Sequence, residues 1–194
     1  MIRLTVLFLL IFLSGCATYE TVQTGSASVG SLQVKTASQW TSINPDFLAP
    51  GGPTGVWTKD GTHLNYVLLY DGVEDGQTLF KVQGNETEPY PAFRSVMAES
   101  EVSELVADSI KRFAGANEVV VVKLTPTTFA GRQGFAVELA YTGKSELDYR
   151  AYASGAVIEE ELYLIIFNAP RLHFFDKDIE QVRRIVNSAT VTPS

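Results

Sequence analysis

Four strand-like runs lie between residues 118 and 168, and they constrain the fold more than any other feature of the sequence. The first and last runs, 118–125 and 162–168, are almost continuously apolar, which predicts strands buried on both faces. The two runs between them, 135–142 and 147–153, alternate apolar with polar residues, which predicts strands with one solvated face. Short links join the runs, and the sequence therefore predicts an antiparallel meander.

An amphipathic helical pattern precedes the meander and another follows it. Residues 101–114 repeat apolar side chains at helical spacing, with Ser100 as the expected N-cap and Gly115 as the expected C-cap. A second apolar face spans residues 175–189, and Asp176 is expected to cap it. Two amphipathic helices packed on one antiparallel sheet give an α+β fold.

The first half of the chain adds shorter elements. Strands are predicted at 32–36, 55–58 and 64–70, and Lys59-Asp60-Gly61 marks a hairpin turn between the last two. Residues 71–98 are irregular and long for a loop inside a compact domain. We expect partner contacts in this segment and in residues 44–55.

The N-terminal residues have the pattern of a secretory signal. Arg3 is followed by an apolar stretch, residues 4–13, whose ten or so residues fall well short of the roughly twenty that span a bilayer. The stretch ends in Leu13-Ser14-Gly15-Cys16, which resembles the processing site of bacterial lipoproteins. That resemblance implies a signal peptide over 1–15, and a Cys16 that carries diacylglycerol through its sulfur and is often acylated on its new amine.

Cys16 is the only cysteine, so its lipidation leaves no thiol for a disulfide, a metal site or a nucleophile. Residues 16–29 are predicted to be the lipidated cysteine and a flexible tether spanning roughly 20 Å, and residues 30–194 a single globular domain. Two or three acyl chains anchor a protein effectively permanently. Ala17 stands where an aspartate favours inner-membrane retention in enterobacteria, so we expect outer-membrane anchoring on the periplasmic side.

The charge of the chain excludes one class of partner. Its formal net charge is −7, and nucleic-acid affinity depends on lysine and arginine neutralising phosphates. We therefore expect no nucleic-acid partner, a membrane contact through the lipid anchor, and a protein partner in the cell envelope.

Few residues have the spacing that chemistry requires. His63 beside the hairpin turn and His173 before the last helix are far apart in sequence, and neither belongs to a metal-ligand cluster. The stretch 71–76 superficially resembles a calcium loop, but Val73 and Val82 stand where oxygen ligands are needed. Residues 159–161 are three glutamates at a predicted hairpin tip. We predict no catalytic residue, no metal site and no cofactor.

Six tyrosines on predicted strands allow two interpretations. An exposed tyrosine patch would suit partner binding, whereas cross-strand packing beneath a helix is the plainer alternative, which we favour. The residues concerned are Tyr66, Tyr70, Tyr141, Tyr149, Tyr152 and Tyr163.

The element order and the stretch from 131 to 191 resemble the PsbP/DcrB-like sandwich, found in envelope lipoproteins and photosystem II extrinsic subunits. Residues 131–135, 161–167 and 169–176 carry most of that similarity, and Trp57-Thr58-Lys59-Asp60-Gly61 is similar to a hairpin in uncharacterised proteobacterial lipoproteins. The resemblance implies a non-enzymatic accessory or partner-binding subunit. A small-ligand or lipid carrier and an envelope hydrolase are the alternatives. The hydrolase would require a serine or aspartate near a histidine.

Overall fold

The structure is a computed structural model that describes residues 19–82 and 89–192. The predicted signal peptide, residues 1–15, and Cys16 lie outside the described residues. Within those ranges, no helix combines the length and the apolar character needed to cross a bilayer.

Two antiparallel sheets and two helices make up the described part of the chain. The larger sheet has eight strands in the order β1-β4-β5-β6-β10-β9-β8-β7, and the smaller has three in the order β11-β3-β2. The strands are β1 (Tyr19–Val22), β2 (Gly25–Val29), β3 (Leu32–Thr36), β4 (Trp40–Ile43), β5 (Gly55–Thr58), β6 (Tyr66–Val73), β7 (Val119–Phe129), β8 (Arg132–Thr142), β9 (Asp148–Ile158), β10 (Glu161–Pro170) and β11 (Thr190–Val191), and the helices are α1 (Glu99–Ala114) and α2 (Asp176–Asn187). The predicted antiparallel meander and the α+β class are confirmed.

Each face of the larger sheet carries its own hydrophobic core. On β10, Leu164 and Ile166 face the core beneath α1, whereas Ile165 and Phe167 face the core beneath α2 and the smaller sheet. All four side chains are at most 1 % exposed. Strands buried on both faces lose the usual alternation of apolar and polar residues. This explains why residues 162–168 are continuously apolar.

Both predicted helices form, with different residues at their starts. Ala98, not Ser100, occupies the N-cap position of α1, where its N–H donates to the Glu101 carboxylate at 2.8 Å. Asp176 is the first residue of α2 and not its cap, because an irregular turn, Arg171–Phe175, leads directly into the helix.

The prediction of a flexible tether over residues 16–29 is wrong for residues 19–29. Strand β1 pairs with β4, and β2 pairs with β3, so this segment belongs to the two sheets. Most of its side chains are polar or exposed, and Val22, Ala27 and Val29 pack partly buried against the core beneath α2. Backbone hydrogen bonds within the two sheets hold the segment in place. The domain therefore includes Tyr19 and does not begin at residue 30.

The prediction that residues 118–125 are buried on both faces is also wrong. Strand β7 lies at the edge of the larger sheet, and Val120, Val121 and Val122 are 43–50 % exposed. Long apolar edge strands tend to pair with other chains, and proteins protect them with charges, prolines and bulges. Here Lys123, Pro126 and a register shift between Val121 and Lys123 supply that protection.

Candidate functional site

A cleft opens at one end of the larger sheet, where β6 begins, β8 ends, β9 begins and β10 ends. The strand register brings Tyr66 opposite Asn168 and Tyr141 opposite Tyr149. These four side chains line a cavity of about 260 Å³, together with His63 and Lys144 from neighbouring loops. An adjoining cavity of about 700 Å³ shares Tyr141, Tyr149 and Lys144. We call the two cavities together the tyrosine cleft.

The floor of the tyrosine cleft is a buried hydrogen-bonded group. The Tyr141 hydroxyl donates to Asn168 Oδ1 at 2.7 Å and also interacts with the Tyr66 hydroxyl. Burial raises the pKa of both the Tyr66 and the Tyr141 phenols well above the ordinary tyrosine value. Both phenols therefore stay protonated at neutral pH and act as hydrogen-bond donors.

The walls of the cleft combine an aromatic stack with a cation. The rings of Tyr141 and Tyr149 are parallel to within 11° with centroids 5.4 Å apart. Gly115 ends α1 in the left-handed conformation, with φ 58°, and the Lys144 side chain crosses directly over it. A Cβ at residue 115 would lie 1.9 Å from Lys144 Cε, so the absence of a side chain there lets Lys144 lie across the C-terminus of α1.

Exposed apolar side chains lie around the same end of the sheet. Leu64, Leu147 and Val120 are 36–50 % exposed, and Leu172 is 82 % exposed. Leu64 and Val120 line the cleft itself, whereas Leu147 lies in the loop between β8 and β9, and Leu172 in the turn after β10. We call these four residues the apolar rim.

Leu172 is held out by a strained turn. The next residue, His173, has φ 72° and ψ −55°, the backbone geometry of a rare and strained γ-turn. Such a conformation costs about 1–3 kcal/mol and persists only where the surroundings impose it. Here Pro170 pairs with Tyr149 on one side of the turn, and on the other Phe175 is buried and its ring stacks on Phe167 at 5.5 Å.

The loop that carries His63 and Leu64 is fixed by a buried polar network. Asn65 Oδ1 accepts hydrogen bonds from the N–H groups of Lys59 and Asp60, and Asn65 Nδ2 donates to Asp60 at 2.7 Å and to Asp178 at 3.2 Å. Lys59 Nζ lies 3.1 Å from Asp178 Oδ1 on α2. The loop is thereby tied to α2, and the predicted Lys59-Asp60-Gly61 turn is part of this structure.

The two histidines, which the hydrolase alternative would use, lie apart from each other. His63 borders the tyrosine cleft and His173 lies in the strained turn, and both are exposed. Neither imidazole makes a hydrogen bond or an ion pair with another residue of the described ranges, although the His173 carbonyl accepts from the Asp176 N–H. Ser145 lines the same cavity as His63, and no hydrogen bond joins their side chains.

The acidic candidates have other partners. Asp71 accepts hydrogen bonds from Ser31 and Leu32, and Asp75 binds Arg94 and Ser95, so the 71–76 stretch does not converge on a cation. Among residues 19–82 and 89–192, no group of three potential metal ligands comes together. Glu159 and Glu160 form the tip of the β9–β10 hairpin, as predicted.

The tyrosines pack as the plainer interpretation predicted. Five of the six are at most 9 % exposed, and Tyr149 is half-buried in the cleft. The sequence placed them on strands, but the cleft depends on which strands are neighbours. The pairing of Tyr141 with Tyr149 spans one short hairpin connection of the predicted meander, whereas that of Tyr66 with Asn168 joins distant parts of the chain and has no short-range signal.

Comparison with protein-family models finds no match, and comparison with curated protein sequences finds none either. Solved structures that are similar to most of this chain include a cyanobacterial and a yeast protein. The solution structure of cyanobacterial PsbP (CyanoP) from Synechocystis sp. PCC 6803 matches with a TM-score of 0.57 and 10 % identity, over 92 % of this chain and 95 % of that one. The crystal structure of the Ran-binding protein Mog1p from Saccharomyces cerevisiae matches with a TM-score of 0.50 and 9 % identity, over 89 % and 95 %. At these identities the likeness shows the fold alone, and the chain has a PsbP-like fold.

Proposed function

We propose that this chain is a lipid-anchored protein of the bacterial envelope, on the periplasmic face of the outer membrane, whose domain binds a protein partner without catalysing a reaction. The anchor rests on Leu13-Ser14-Gly15-Cys16 and on the apolar stretch before it. The partner-binding role rests on the end of the sheet that carries the tyrosine cleft and the apolar rim. One structurally similar protein, Mog1p, is named for binding Ran, so a protein of this fold can serve partner recognition.

The observation that carries the proposal is the presentation of Leu172. Because Leu172 is 82 % exposed, it adds almost no buried apolar area to the folded monomer. The strained γ-turn at His173 follows directly and keeps the Leu172 side chain in solvent. Backbone strain and exposed apolar side chains together are typical of recognition surfaces. The neighbouring tyrosine cleft offers aromatic faces, and tyrosine is enriched at protein interfaces.

A small-ligand role is the second candidate, and the tyrosine cleft favours it. Two protonated phenols, an amide and the Lys144 ammonium line the cleft, and the Tyr141–Tyr149 stack offers an aromatic surface. This chemistry suits a small polar ligand better than a lipid. A ligand that copurifies with the domain and competes with partner binding would place both roles at one site.

Loss of the anchor is the first expected result. The Cys16→Ala variant has no thiol to alkylate. Because the cut before residue 16 follows lipidation in bacterial lipoproteins, we expect this variant to carry no diacylglycerol and to keep its apolar signal peptide, residues 1–15. Intact-mass measurement of the membrane-bound protein should show the added diacylglycerol, and labelled palmitate should enter only the Cys16 protein. Labelled palmitate in the Cys16→Ala protein, or a native protein without the added lipid mass, would contradict the lipoprotein assignment.

Photo-crosslinking in intact cells tests the binding surface. A photoreactive amino acid at position 172 should capture one dominant envelope protein, and the Cys16→Ala background should weaken that capture. The same group at the exposed Glu104 position on α1 is the matched control and should capture nothing specific. Equal, diffuse labelling from positions 172 and 104 would refute partner binding at the apolar rim.

A further inference from the structure

The sheet begins very close to the cysteine that is proposed to carry lipid. Tyr19 starts β1, and only Ala17 and Thr18 separate it from Cys16. An extended chain advances at most about 3.6 Å per residue, so Cys16 and Tyr19 are no more than about 11 Å apart. A lipid on Cys16 would therefore hold this corner of the domain at the bilayer surface.

The same corner carries two exposed aromatic side chains. Tyr19 pairs with Ile43 at the end of β4, and the chain turns immediately afterwards through a short 3-10 turn, Pro45–Phe47. Tyr19 and Phe47 are each 70 % exposed. They are more exposed than any other large aromatic side chain in the described residues.

The turn presents Phe47 from a fixed backbone. The Asn44 side chain accepts a hydrogen bond from the Asp46 N–H at 3.0 Å, and the Leu48 and Ala49 N–H groups both donate to the Pro45 carbonyl. Ala49 is buried against the core beneath α1. Phe47 therefore projects from a rigid turn and not from a loose loop.

The charges at this corner decide the kind of surface it fits. Glu20 and Asp46 are exposed acids, and the chain as a whole is acidic. Anionic headgroups would be repelled, whereas a zwitterionic surface would accept aromatic rings at the level of its headgroups. Tyrosine and other aromatic side chains are enriched at that level in membrane proteins.

We propose that the corner formed by Tyr19 and Phe47 rests on the lipid bilayer and fixes the orientation of the domain; this rests on the proposed lipid anchor at Cys16. One anchor point alone leaves a domain free to rotate. Two aromatic contacts beside it restrict that rotation, since each buried apolar group adds to membrane binding.

This orientation directs the tyrosine cleft away from the membrane. The register places Ile43 opposite Val56 and Thr41 opposite Thr58, so the β5–β6 connection lies at the other end of these strands from the Tyr19 corner. That connection carries His63 and Leu64, which line the cleft. The cleft and the apolar rim therefore face the aqueous compartment, where a partner can reach them.

Spin labels on the lipidated full-length protein test the orientation. Because lipidation consumes the Cys16 thiol, a Glu20→Cys or a Leu172→Cys substitution supplies a unique reactive thiol. The protein is reconstituted into phosphatidylcholine vesicles, and the accessibility of each label to oxygen and to a water-soluble nickel chelate is measured. We expect the nickel accessibility of the label at 20 to be several-fold lower than that of the label at 172. Equal accessibility at the two positions would overturn the proposal.

A second variant isolates the aromatic contribution. Replacing both Tyr19 and Phe47 by serine in the Glu20→Cys protein should restore nickel accessibility at position 20 several-fold, while the protein stays on the vesicles through its lipid. If the nickel accessibility at position 20 stays unchanged, the two aromatic side chains do not contact the bilayer. Vesicle flotation and intact mass are recorded on every sample. Failure to float or to carry lipid would refute the anchor itself, separately from the orientation.

Discussion

Replacing Asp178 by alanine is expected to lower the free energy of unfolding by about 3–5 kcal/mol. The Asp178 carboxylate is 1 % exposed, and it forms an ion pair with Lys59, whose side chain is itself only 15 % exposed. Removing one partner of a buried pair leaves the other charge desolvated and uncompensated. The Lys59 ammonium would retain only Gln181 and the face of the Trp40 ring, 4.8 Å from its centroid.

The Asp178→Ala substitution also removes a hydrogen bond to the loop of residues 59–65 beside the tyrosine cleft. Asn65 is 1 % exposed and donates to Asp178 as well as to Asp60, so the variant weakens the attachment of residues 59–65 to α2. Partner capture from position 172, which lies in a separate turn, should survive in molecules that remain folded. Partner capture from position 64 should fall more than capture from position 172, because Leu64 adjoins Asn65 in the loop.

Denaturant unfolding followed by tryptophan fluorescence measures the effect, because Trp40 and Trp57 are buried in the core beneath α2. Asp176→Ala is the matched control. Asp176 also lies in the first turn of α2 but is exposed, so its removal should cost about 0.3–1 kcal/mol through the helix dipole. Similar losses for the two variants would show that the Lys59–Asp178 pair does not stabilise the fold.

The sequence predicted the elements whose patterns are local. The apolar face of α1, its Gly115 end and the doubly buried β10 follow from spacings within 10–20 residues, and the structure contains all three. The Lys59-Asp60-Gly61 turn was also predicted. Its attachment to α2 was not, because Lys59 and Asp178 are 119 residues apart and no short pattern relates them.

The wrong predictions share a physical cause. Residues 118–125 are mostly apolar, as β10 is, but periodicity cannot distinguish a central strand from an edge strand. Residues 19–29 are rich in polar and small residues, like a linker, yet their backbone groups complete two sheets. In both cases the position in the sheet decides the environment, and that position depends on strands elsewhere in the chain.

The candidate site was predicted in part. The tyrosines were placed on strands and expected to pack, which is confirmed for Tyr66 and Tyr141. The cleft they line, the projection of Leu172 and the strain at His173 have no local sequence signal. They arise where the ends of four strands and the end of α1 meet.

Replacing Gly155 by alanine is expected to destabilise the domain by about 3 kcal/mol, at the upper end for inserting a methyl group into a packed core. Strand propensity alone predicts that Gly155→Ala would stabilise the domain, because glycine weakens the interior of a strand. Gly155 lies in β9 between β8 and β10, and a Cβ there would lie 2.3 Å from the Tyr163 carbonyl oxygen and 3.1 Å from Leu164 Cα.

The contact is with backbone, so no side-chain rotation relieves it, and β9 and β10 would have to separate. Gly143→Ala is the matched control. Its Cβ would meet only the edge of the Tyr149 ring at 3.1 Å and the Leu147 carbonyl oxygen at an ordinary 3.9 Å, and the ring can move. Thermal and denaturant unfolding of the two variants should therefore differ by about 2 kcal/mol or more. A Gly155→Ala protein as stable as the native one would show that β9 and β10 can move apart at this point at no cost in the free energy of unfolding. Glycine would then not be required for the close approach of the two strands.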